Sequence, residues 1–315
     1  MKILFLSRYQ NKLSRGAENF VKELTLRVSK KNQVDIFADV DADSLSKIIK
    51  GKYDLVISIN GRLQAFLASL GRLLGGYKLL TGGHSGIGLD DIWNIAFVRP
   101  NIFVALTEHQ RAWDKKWGFG IKIIKIPNGI DLEKFSPNGP KIDLNLPRPI
   151  ILSVGALTWY KYHSRVIRAM REIGEGSILI VGEGGEKENL ENLGKRYLGE
   201  RFKIANFDYD DMPKVYRSCD LFTLPSWSRE AFGIVYLEAM ASGLGVVAPD
   251  DAPRHEIIGD AGIFVDVGDA DRYAEALDKA LSIDWSKKAR DQAEQFSWDK
   301  IAKEYERVFE ELVSH

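Results

Sequence analysis

The sequence predicts an α/β protein with two tandem Rossmann-like, doubly wound domains. Short apolar segments recur about every 20–25 residues, helical patterns separate them, and one proline-rich stretch interrupts the rhythm. Near-continuous apolar strands are typical of a parallel sheet that is covered by helices on both faces. The length of 315 residues suits two domains of ordinary size.

Each half of the chain contains six segments that we predict as strands. Their alternation with amphipathic helices indicates βαβ units. In the first half the strands are Lys2–Leu6, Val34–Ala38, Leu55–Ile59, Lys78–Thr81, Ile102–Leu106 and Lys122–Ile126. In the second half they are Ile150–Val154, Ser177–Val181, Phe202–Ala205, Leu221–Leu224, Gly245–Ala248 and Gly262–Val265.

The alternation of predicted strands and helices is interrupted at Ser136–Pro149, where prolines prevent a helix or a central strand. We therefore predict a first domain at residues 1–137, a linker at 138–149 and a second domain at 150–297. Residues 298–315 form a final helix, and packing back onto the first domain is one option for its apolar stripe. In such folds ligands bind beyond the carboxyl ends of the strands, here in a cleft between the domains.

Composition excludes several classes of protein. Hydrophobic residues make up 45% and charged residues 28%, and Cys219 is the single cysteine, so a disulfide framework and a multi-cysteine metal site are excluded. No apolar run approaches the roughly 20 residues that span a bilayer, and the apolar stretch at the N-terminus is too short for a signal peptide. We expect a cytoplasmic protein.

The net charge of zero hides a difference between the halves. Residues 1–149 carry 23 Lys and Arg against 14 Asp and Glu, a balance of +9, and residues 150–315 carry 21 against 30, a balance of −9. A basic half favours an anionic partner, while complementary domain surfaces explain the same numbers equally well. Nucleic acid is disfavoured as the partner, because the basic residues are scattered and no aromatic stacking set accompanies them.

The segment with the strongest chemical signal is Pro225–Gly243, PSWSREAFGIVYLEAMASG. A strand ends before it, and Phe232-Gly233 opens a helix whose first amides would form an anion site. Glu230 and Glu238 stand eight residues apart, and their carboxylates could accept hydrogen bonds from sugar hydroxyls. The alternative is structural, with Glu230 as a helix-dipole residue and Glu238 as a solvated helix residue.

This segment resembles the E-x7-E signature of the retaining glycosyltransferases of family 4, which have the GT-B fold. Other stretches resemble the same family in the same order: Arg15–Glu18, Ile126–Pro137, Val154–Lys161, Val181–Gly184, Arg217–Leu224 and Phe296–Trp298. The resemblance implies two domains facing a central cleft and a hexosyltransferase that uses a UDP-sugar or a GDP-sugar. The implied acceptor is a hydroxyl of a glycan, a lipid-linked molecule or a small molecule, as in the synthesis of cell-envelope polysaccharides.

The resemblance also implies residues that bind the donor. Lys161 would neutralise its diphosphate, and Gly16 would let the backbone of the first loop approach that diphosphate. Glu238 would hold the ribose hydroxyls. The backbone amides that would help to hold the sugar and phosphates belong to Phe232, Gly233 and Ile234.

The residues implied at the transferred sugar are Glu230 and His84. Glu230 would contact the sugar, and His84 corresponds to a first-domain histidine that lies near it. Without the resemblance, a single histidine such as His84 is more often structural than functional.

The sequence differs from the family pattern at one position that would contact the diphosphate. The family usually has arginine five residues before the lysine, and this chain has Ala156. Arg165 or Arg229 could supply the charge, and losing it would remove a contact worth roughly 1.5–3 kcal/mol. The departure keeps a noncatalytic nucleotide-sugar binder open as an alternative, together with an epimerase or phosphorylase of the same fold.

We expect neither a metal ion nor a cofactor. The Asp-x-Asp sequences Asp39–Asp41 and Asp41–Asp43, which resemble a metal-binding motif, lie far along the chain from the predicted site. A Gly-rich run at Val181–Gly185 lacks the glycine that a dinucleotide fingerprint requires, which disfavours an NAD site. Departure of the nucleoside diphosphate would then depend on fixed positive groups, and the departing phosphate could itself accept the acceptor's proton.

The segment Arg62–Lys78 has two interpretations. It is apolar along one side, with basic residues at its ends. A buried core helix explains this pattern, and so does an interfacial helix that seats the basic domain on the anionic inner face of the cell membrane.

Overall fold

The computed structural model describes residues 1–10, 16–59 and 61–314. The chain divides into two units. The first contains Met1–Gly129, Arg229–Phe232 and Trp298–His315, and the second contains Ile130–Ser228 and Gly233–Ser297.

The first unit contains a parallel sheet with the strand order β2-β1-β3-β4-β5-β6. Alternate residues of its strands face opposite sides. Ile3 and Phe5 join one apolar cluster, while Leu4 and Leu6 join another, which is why the strands read as continuous apolar runs. The strands are β1 (Lys2–Leu6), β2 (Gln33–Phe37), β3 (Leu55–Ile59), β4 (Lys78–Gly82), β5 (Ile102–Ala105) and β6 (Lys122–Lys125).

Among the residues that the structure describes, five α-helices connect these strands, and the final helix of the chain joins the same unit. They are α1 (Gly16–Val28), α2 (Leu45–Lys50), α3 (Arg62–Gly75), α4 (Leu89–Ile92), α5 (Glu108–Asp114) and the final helix, Trp298–Val313. The Phe20 ring of α1 lies 5.7 Å from the Trp298 ring and 5.6 Å from the Tyr305 ring, measured between centroids. An ion pair of 2.8 Å between Lys31 and Glu306 borders this contact.

The second unit repeats the architecture, with the strand order β12-β11-β10-β7-β8-β9. Its strands are β7 (Ile150–Val154), β8 (Ser177–Val181), β9 (Phe202–Ala205), β10 (Leu221–Thr223), β11 (Val246–Pro249) and β12 (Gly262–Val265). Its helices are α6 (His163–Glu172), α7 (Lys187–Leu198), α8 (Met212–Ser218), α9 (Ile234–Ala241), α10 (Ala252–Ile258), α11 (Ala270–Leu281) and α12 (Ser286–Glu294), and the final helix is α13. All the strand pairs in both sheets are parallel, which confirms the predicted fold class.

The proline-rich segment at 138–149 packs within the second unit, so the boundary differs from the predicted linker. Arg217 donates from Nε to the Pro140 carbonyl at 2.9 Å, and the backbone N–H of Ile142 donates to Ser218 Oγ at 2.9 Å. Lys203 Nζ donates to the Leu144 carbonyl at 3.0 Å. Prolines prevent a helix here, but an extended segment still offers carbonyls to neighbouring side chains.

Helix α3 is not a buried core helix. Its buried residues are small or polar, among them Ala65, Ala68 and Gly71. The large apolar side chains face outward, with Leu73 85% and Leu74 78% exposed. The interpretation of Arg62–Lys78 as core is therefore wrong, because small residues fill the packed face and leave the leucines without cover.

Candidate active site

The second sheet reverses its strand order between β7 and β10, which pair directly. In doubly wound sheets ligands bind beyond the carboxyl ends of strands at such a point. The loop after β7 carries Lys161, and the loop after β10 leads to Gly233 and α9. The second unit therefore brings these two predicted donor elements to the same edge of its sheet.

Lys161 ends a 3₁₀ turn that covers Trp159–Lys161. A Cβ at Gly155 would lie 3.7 Å from Lys161 Cδ, so the stem of the lysine passes over the loop that follows β7. Behind it, the buried His163 accepts or donates a hydrogen bond of 3.1 Å between Nδ1 and Ser153 Oγ. Burial first, and then the charge of Lys161, lower the pKa of His163 to about 4, so this imidazole is neutral beneath the lysine.

The two arginines that could replace the missing charge at Ala156 lie in different units. Arg165 lies in the first turn of α6, with its guanidinium 4.0 Å from the centre of the Tyr162 ring. Arg229 belongs to the first unit, where its Nε donates to the Ile87 carbonyl at 3.3 Å. Ala156 itself is exposed.

Helix α9 begins without a side-chain cap. Its N-cap residue, Gly233, has φ +78° and ψ +62°, a left-handed conformation that favours glycine. Phe232 is buried immediately before this turn and Ile234 is the first helical residue. An uncapped helix N-terminus directs amide N–H groups and the positive end of the helix dipole toward an anion.

Glu238 lies one turn further along α9 and is only 4% exposed, so the interpretation as a solvated residue is wrong. Its Oε2 accepts a 2.7 Å hydrogen bond from the Tyr216 hydroxyl. Burial raises the pKa of Glu238 to about 7, while Tyr216 and the Lys134 charge act in the opposite direction. Lys134 stacks over Tyr209, with its Nζ 4.0 Å from the ring centre.

Lys134, Tyr209 and Tyr216 were not predicted from the sequence. Lys134 does lie in the interdomain motif that carries the resemblance, Ile126–Pro137, but nothing local distinguishes it from other surface lysines. These three side chains come from separate segments of the chain, and only the packed unit brings them to the Glu238 carboxyl.

His84 lies in the turn after β4 of the first unit. Its ring centroid is 4.3 Å from that of Phe20, and its Nε2 is buried without a hydrogen-bond partner among the described residues. Burial lowers the pKa of His84 to about 4, so the imidazole is neutral near pH 7. A neutral imidazole can donate or accept one hydrogen bond at this atom, according to its tautomer.

A buried carboxyl pair lies behind the His84 turn and was not predicted. Gln110 Nε2 donates to the Gly83 carbonyl and to Asp91 Oδ2, both at 2.9 Å. Asp91 and Asp114 are both buried, and burial together with mutual repulsion raises the pKa of Asp114 strongly. Burial likewise raises the pKa of Asp91. Two ionised carboxylates would repel each other here, so the raised pKa values indicate that the pair retains a proton.

The predicted first-unit residues Gly16 and Glu230 lie on separate segments. Gly16 opens α1, and a Cβ there would meet no atom within 4 Å, while Arg15 lies outside the described residues. Glu230 is half-buried, in the short segment Arg229–Phe232 that joins the first unit. Gly86 has φ +80°, and a Cβ there would lie 2.5 Å from the Arg229 carbonyl oxygen, so this loop can approach that segment only as glycine.

The part of the chain that the structure describes contains no candidate for two other types of site. No cluster of three or more His, Cys, Asp or Glu side chains there could hold a metal ion. None of the described helices combines the length and the apolar character needed to cross a bilayer.

The sequence profile of the family described as glycosyl transferases group 1 matches residues 137–297. The chain is similar to phosphatidyl-myo-inositol mannosyltransferase of Mycolicibacterium smegmatis, with 32% identity over 221 residues, 66% of this chain and 56% of that protein. It is 36% identical over 212 residues to an uncharacterized glycosyltransferase of Methanocaldococcus jannaschii, covering 60% of this chain and 54% of that protein. The chain therefore spans about half the length of the curated relatives it matches.

Two solved structures resemble the whole chain. Sucrose-phosphate synthase from Thermosynechococcus elongatus has a TM-score of 0.84 at 20% identity and covers 99% of both chains. Anabaena HepE, solved in complex with UDP and glucose, has a TM-score of 0.82 at 18% identity and covers 99% of this chain and 100% of its own. At these identities the likeness concerns the fold, and it confirms the expected GT-B architecture of two doubly wound units.

Proposed function

The chain belongs to the glycosyl transferases group 1 family, and we propose that it moves a hexosyl group from a UDP-sugar or GDP-sugar to a hydroxyl acceptor. The acceptor is a glycan, a lipid-linked molecule or a small molecule. The reaction retains the anomeric configuration and uses neither a metal ion nor a cofactor. The observation that carries the proposal is the shared sheet edge of Lys161 and the uncapped N-terminus of α9, at the strand-order reversal of the second unit.

These two elements supply fixed positive charge for a diphosphate. The leaving nucleoside diphosphate gains negative charge as the glycosidic bond breaks, and preorganised donors stabilise that charge without solvent reorganisation. Lys161 contributes a point charge, and the first-turn amides of α9, from Gly233 and Ile234, contribute aligned dipoles. With Ala156 in place of arginine, Arg165 or Arg229 supplies the second cation.

Glu238 is assigned to the ribose hydroxyls of the donor. Its carboxyl group is held by Tyr216 and lies one turn into α9, behind the diphosphate position. A buried carboxylate that keeps its remaining acceptor sites for sugar hydroxyls fits this role. HepE was solved with UDP. A Corynebacterium glutamicum relative that is 28% identical is named a GDP-mannose-dependent mannosyltransferase. These two proteins support a donor that carries either UDP or GDP.

The first unit contributes the side of the acceptor and the transferred sugar. His84, in the turn after β4, is assigned to the transferred sugar because its position matches the histidine that the family resemblance implies. Glu230 contacts the transferred sugar, and Gly16 leaves space for the diphosphate. Because His84 is neutral and apolar neighbours surround it, we assign it to positioning and leave removal of the acceptor's proton to the departing phosphate.

The proposal also includes a peripheral contact between the first unit and an anionic membrane. The outward leucines of α3 form an apolar strip, with Arg62 at its start and Arg72 directly before Leu73. An apolar strip flanked by basic residues suits the headgroup boundary of an anionic bilayer. Such a contact at the inner face of the cell membrane would bring the first unit to a lipid-linked acceptor.

A noncatalytic nucleotide-sugar binder is the second candidate, and exposed Ala156 favours it because half of the usual diphosphate clamp is absent. A binder would be stabilised by a donor sugar without releasing nucleoside diphosphate. An epimerase would convert the donor sugar without an acceptor. A retaining transferase would release nucleoside diphosphate with an acceptor present, and NMR of the product would show the donor's anomeric configuration.

Thermal unfolding with UDP, GDP, ADP and their sugars in EDTA tests the donor site. A ligand at 100 times its Kd stabilises the folded state by about 2.7 kcal/mol, a shift of several degrees at this size. We expect one base to produce this shift, Lys161→Ala to lose it and Lys195→Ala, on the exposed face of α7, to keep it. No shift with any nucleotide, or an equal shift in Lys161→Ala, would contradict the assigned site.

A further inference from the structure

The second unit contains a cavity of about 800 Å³ beside the predicted donor loops. It lies beyond the carboxyl ends of β10, β11 and β12, and the first turns of α6 and α11 border it. Residues of this unit alone line it. Apart from Arg165, none of them was predicted as a site residue. The volume lies within the usual range for ligand pockets.

Tyr162 is the most unusual residue of the cavity wall. Its backbone has φ +54° and ψ +30°, a left-handed conformation that a bulky side chain rarely adopts. Such conformations persist where the surrounding structure holds them, and they concentrate at binding sites. The Tyr162 ring is packed against the Arg165 guanidinium, 4.0 Å from the ring centre, so the strained turn presents an ordered aromatic side chain.

Trp227 supplies a second aromatic side chain that is held from behind. Its ring stacks on Tyr160 with 5.1 Å between centroids and an interplanar angle of 29°. Its carbonyl accepts a 2.8 Å hydrogen bond from Arg254, which is only 1% exposed. Arg254 also donates to Ser226 Oγ at 2.8 Å and to Asp251 Oδ2 at 2.9 Å. A buried arginine thus ties the loop after β10 to the start of α10.

The charges of the carboxylates and guanidinium groups in the cavity wall nearly cancel. Asp250, Asp251 and Asp266 line the cavity together with Arg165 and Arg272. Asp251 already pairs with the buried Arg254 just described. The wall is therefore close to neutral. An anionic ligand such as a nucleotide would face three carboxylates, and a cationic ligand would face two guanidinium groups.

We propose that this cavity binds a neutral oligosaccharide. A sugar ring has apolar C–H faces, which suit the aromatic rings of Tyr162 and Trp227. Its hydroxyls both donate and accept hydrogen bonds, so they match carboxylates, which only accept, and guanidinium groups, which only donate. A neutral ligand with many hydroxyls and an apolar ring face therefore matches the aromatic, carboxylate and guanidinium groups of this wall together.

The site goes beyond the proposed transfer reaction and does not depend on it. The turn that carries Lys161 toward the donor also carries Tyr162, and the segment with Trp227 leads directly to Arg229. An oligosaccharide bound here would lie beside the loops assigned to the donor. It would hold a glycan to the protein through sugar residues that do not take part in the reaction.

Saturation-transfer NMR on the full chain, with maltotriose, α-1,6-mannotriose and cellotriose as probes, tests the site. We expect saturable binding of at least one trisaccharide, with a Kd of about 1 mM. Tyr162→Gly removes the ring and relieves the left-handed strain, so its Tm should equal or exceed that of the wild type while binding weakens roughly fivefold or more. Arg272→Gln removes a guanidinium group that α11 contributes to the lining, with the same expected loss.

Arg168→Gln is the matched control, because Arg168 lies on the exposed side of α6 and outside the cavity lining. Its trisaccharide binding should equal that of the wild type. Absence of binding by all three probes, or equal binding in Tyr162→Gly and Arg272→Gln, would overturn the inference. Nucleotide stabilisation is measured on the same samples, so trisaccharide binding without it would refute the proposed donor site and leave this site standing.

Discussion

Replacing Asp114 by asparagine should make the protein more stable, and increasingly so as the pH rises. Asp114 is fully buried, and both its oxygens lack a partner among the described groups when it is ionised. Burial and the neighbouring Asp91 raise its folded-state pKa above the ordinary value of 3.8. The folded state therefore keeps a proton that the unfolded chain releases, and stability is lost as the pH rises above about 4.

The size of the effect follows from proton linkage. One retained proton lowers the free energy of unfolding by roughly 1.4 kcal/mol per pH unit, or roughly 3 kcal/mol between pH 5 and pH 7. At roughly 2–4 °C per kcal/mol, the Tm advantage of Asp114→Asn should grow by roughly 6–12 °C across this interval. Asparagine cannot ionise, but it fits the same space and can donate to Asp91.

Calorimetry at pH 5, 6 and 7 measures the difference between wild type and variant. Asp299→Asn is the control, because the Asp299 side chain is 83% exposed in the same unit, and its pH dependence should match that of the wild type. A Tm difference between wild type and Asp114→Asn that stays constant from pH 5 to pH 7 would refute the shared proton. It would mean that Asp114 does not hold a proton in the folded state over this range.

Two further predictions concern binding. Leu73→Glu should reduce sedimentation with phosphatidylglycerol vesicles at low salt about tenfold, because burying one leucine is worth roughly 1.5–3 kcal/mol, whereas Val40→Glu, at another exposed apolar position, should not. Absence of vesicle binding by the wild type, or equal loss in both variants, would count against the α3 surface. Glu238→Gln should weaken nucleotide binding about tenfold at pH 8 and less at pH 6, because the pKa of about 7 leaves the wild-type carboxyl largely protonated at pH 6. Isothermal titration at both pH values measures this, and an equal loss at pH 6 and pH 8 would exclude a role for the ionised carboxylate.

The strands were predictable because their signal is local. Each of the twelve strands in the structure lies within one residue of a predicted strand at both ends, since a continuous apolar run bounded by polar turns has few other solutions in a parallel sheet. The loops after β7 and β10 also followed from the strand pattern, and the structure places Lys161 and Gly233 on these two loops. The unit to which residues 138–149 belong could not be read from the sequence, because proline excludes a helix but does not say which unit an extended segment packs against.

Burial of polar side chains could not be read from the sequence in the same way. Asp90 and Asp91 are neighbours, but Asp90 is half-exposed beside Arg62, whereas Asp91 reaches Gln110 from a distant helix. The sequence around Glu238 is compatible with a solvated helix position, but in the structure Tyr216 packs against its carboxyl group. Helix α3 shows the converse, because its small residues are buried and its leucines are exposed.

The sequence by itself determined the two parallel sheets and the motifs that carry the family resemblance. Each of these depends on neighbours in the chain, through periodicity, turn chemistry and spacing. Tertiary structure alone decided the protonation of Asp91 and Asp114, the neutral state of His84 and the cavity beside Tyr162. These properties depend on which distant side chains exclude water from a charged group or leave a space between them, and local patterns carry no record of that.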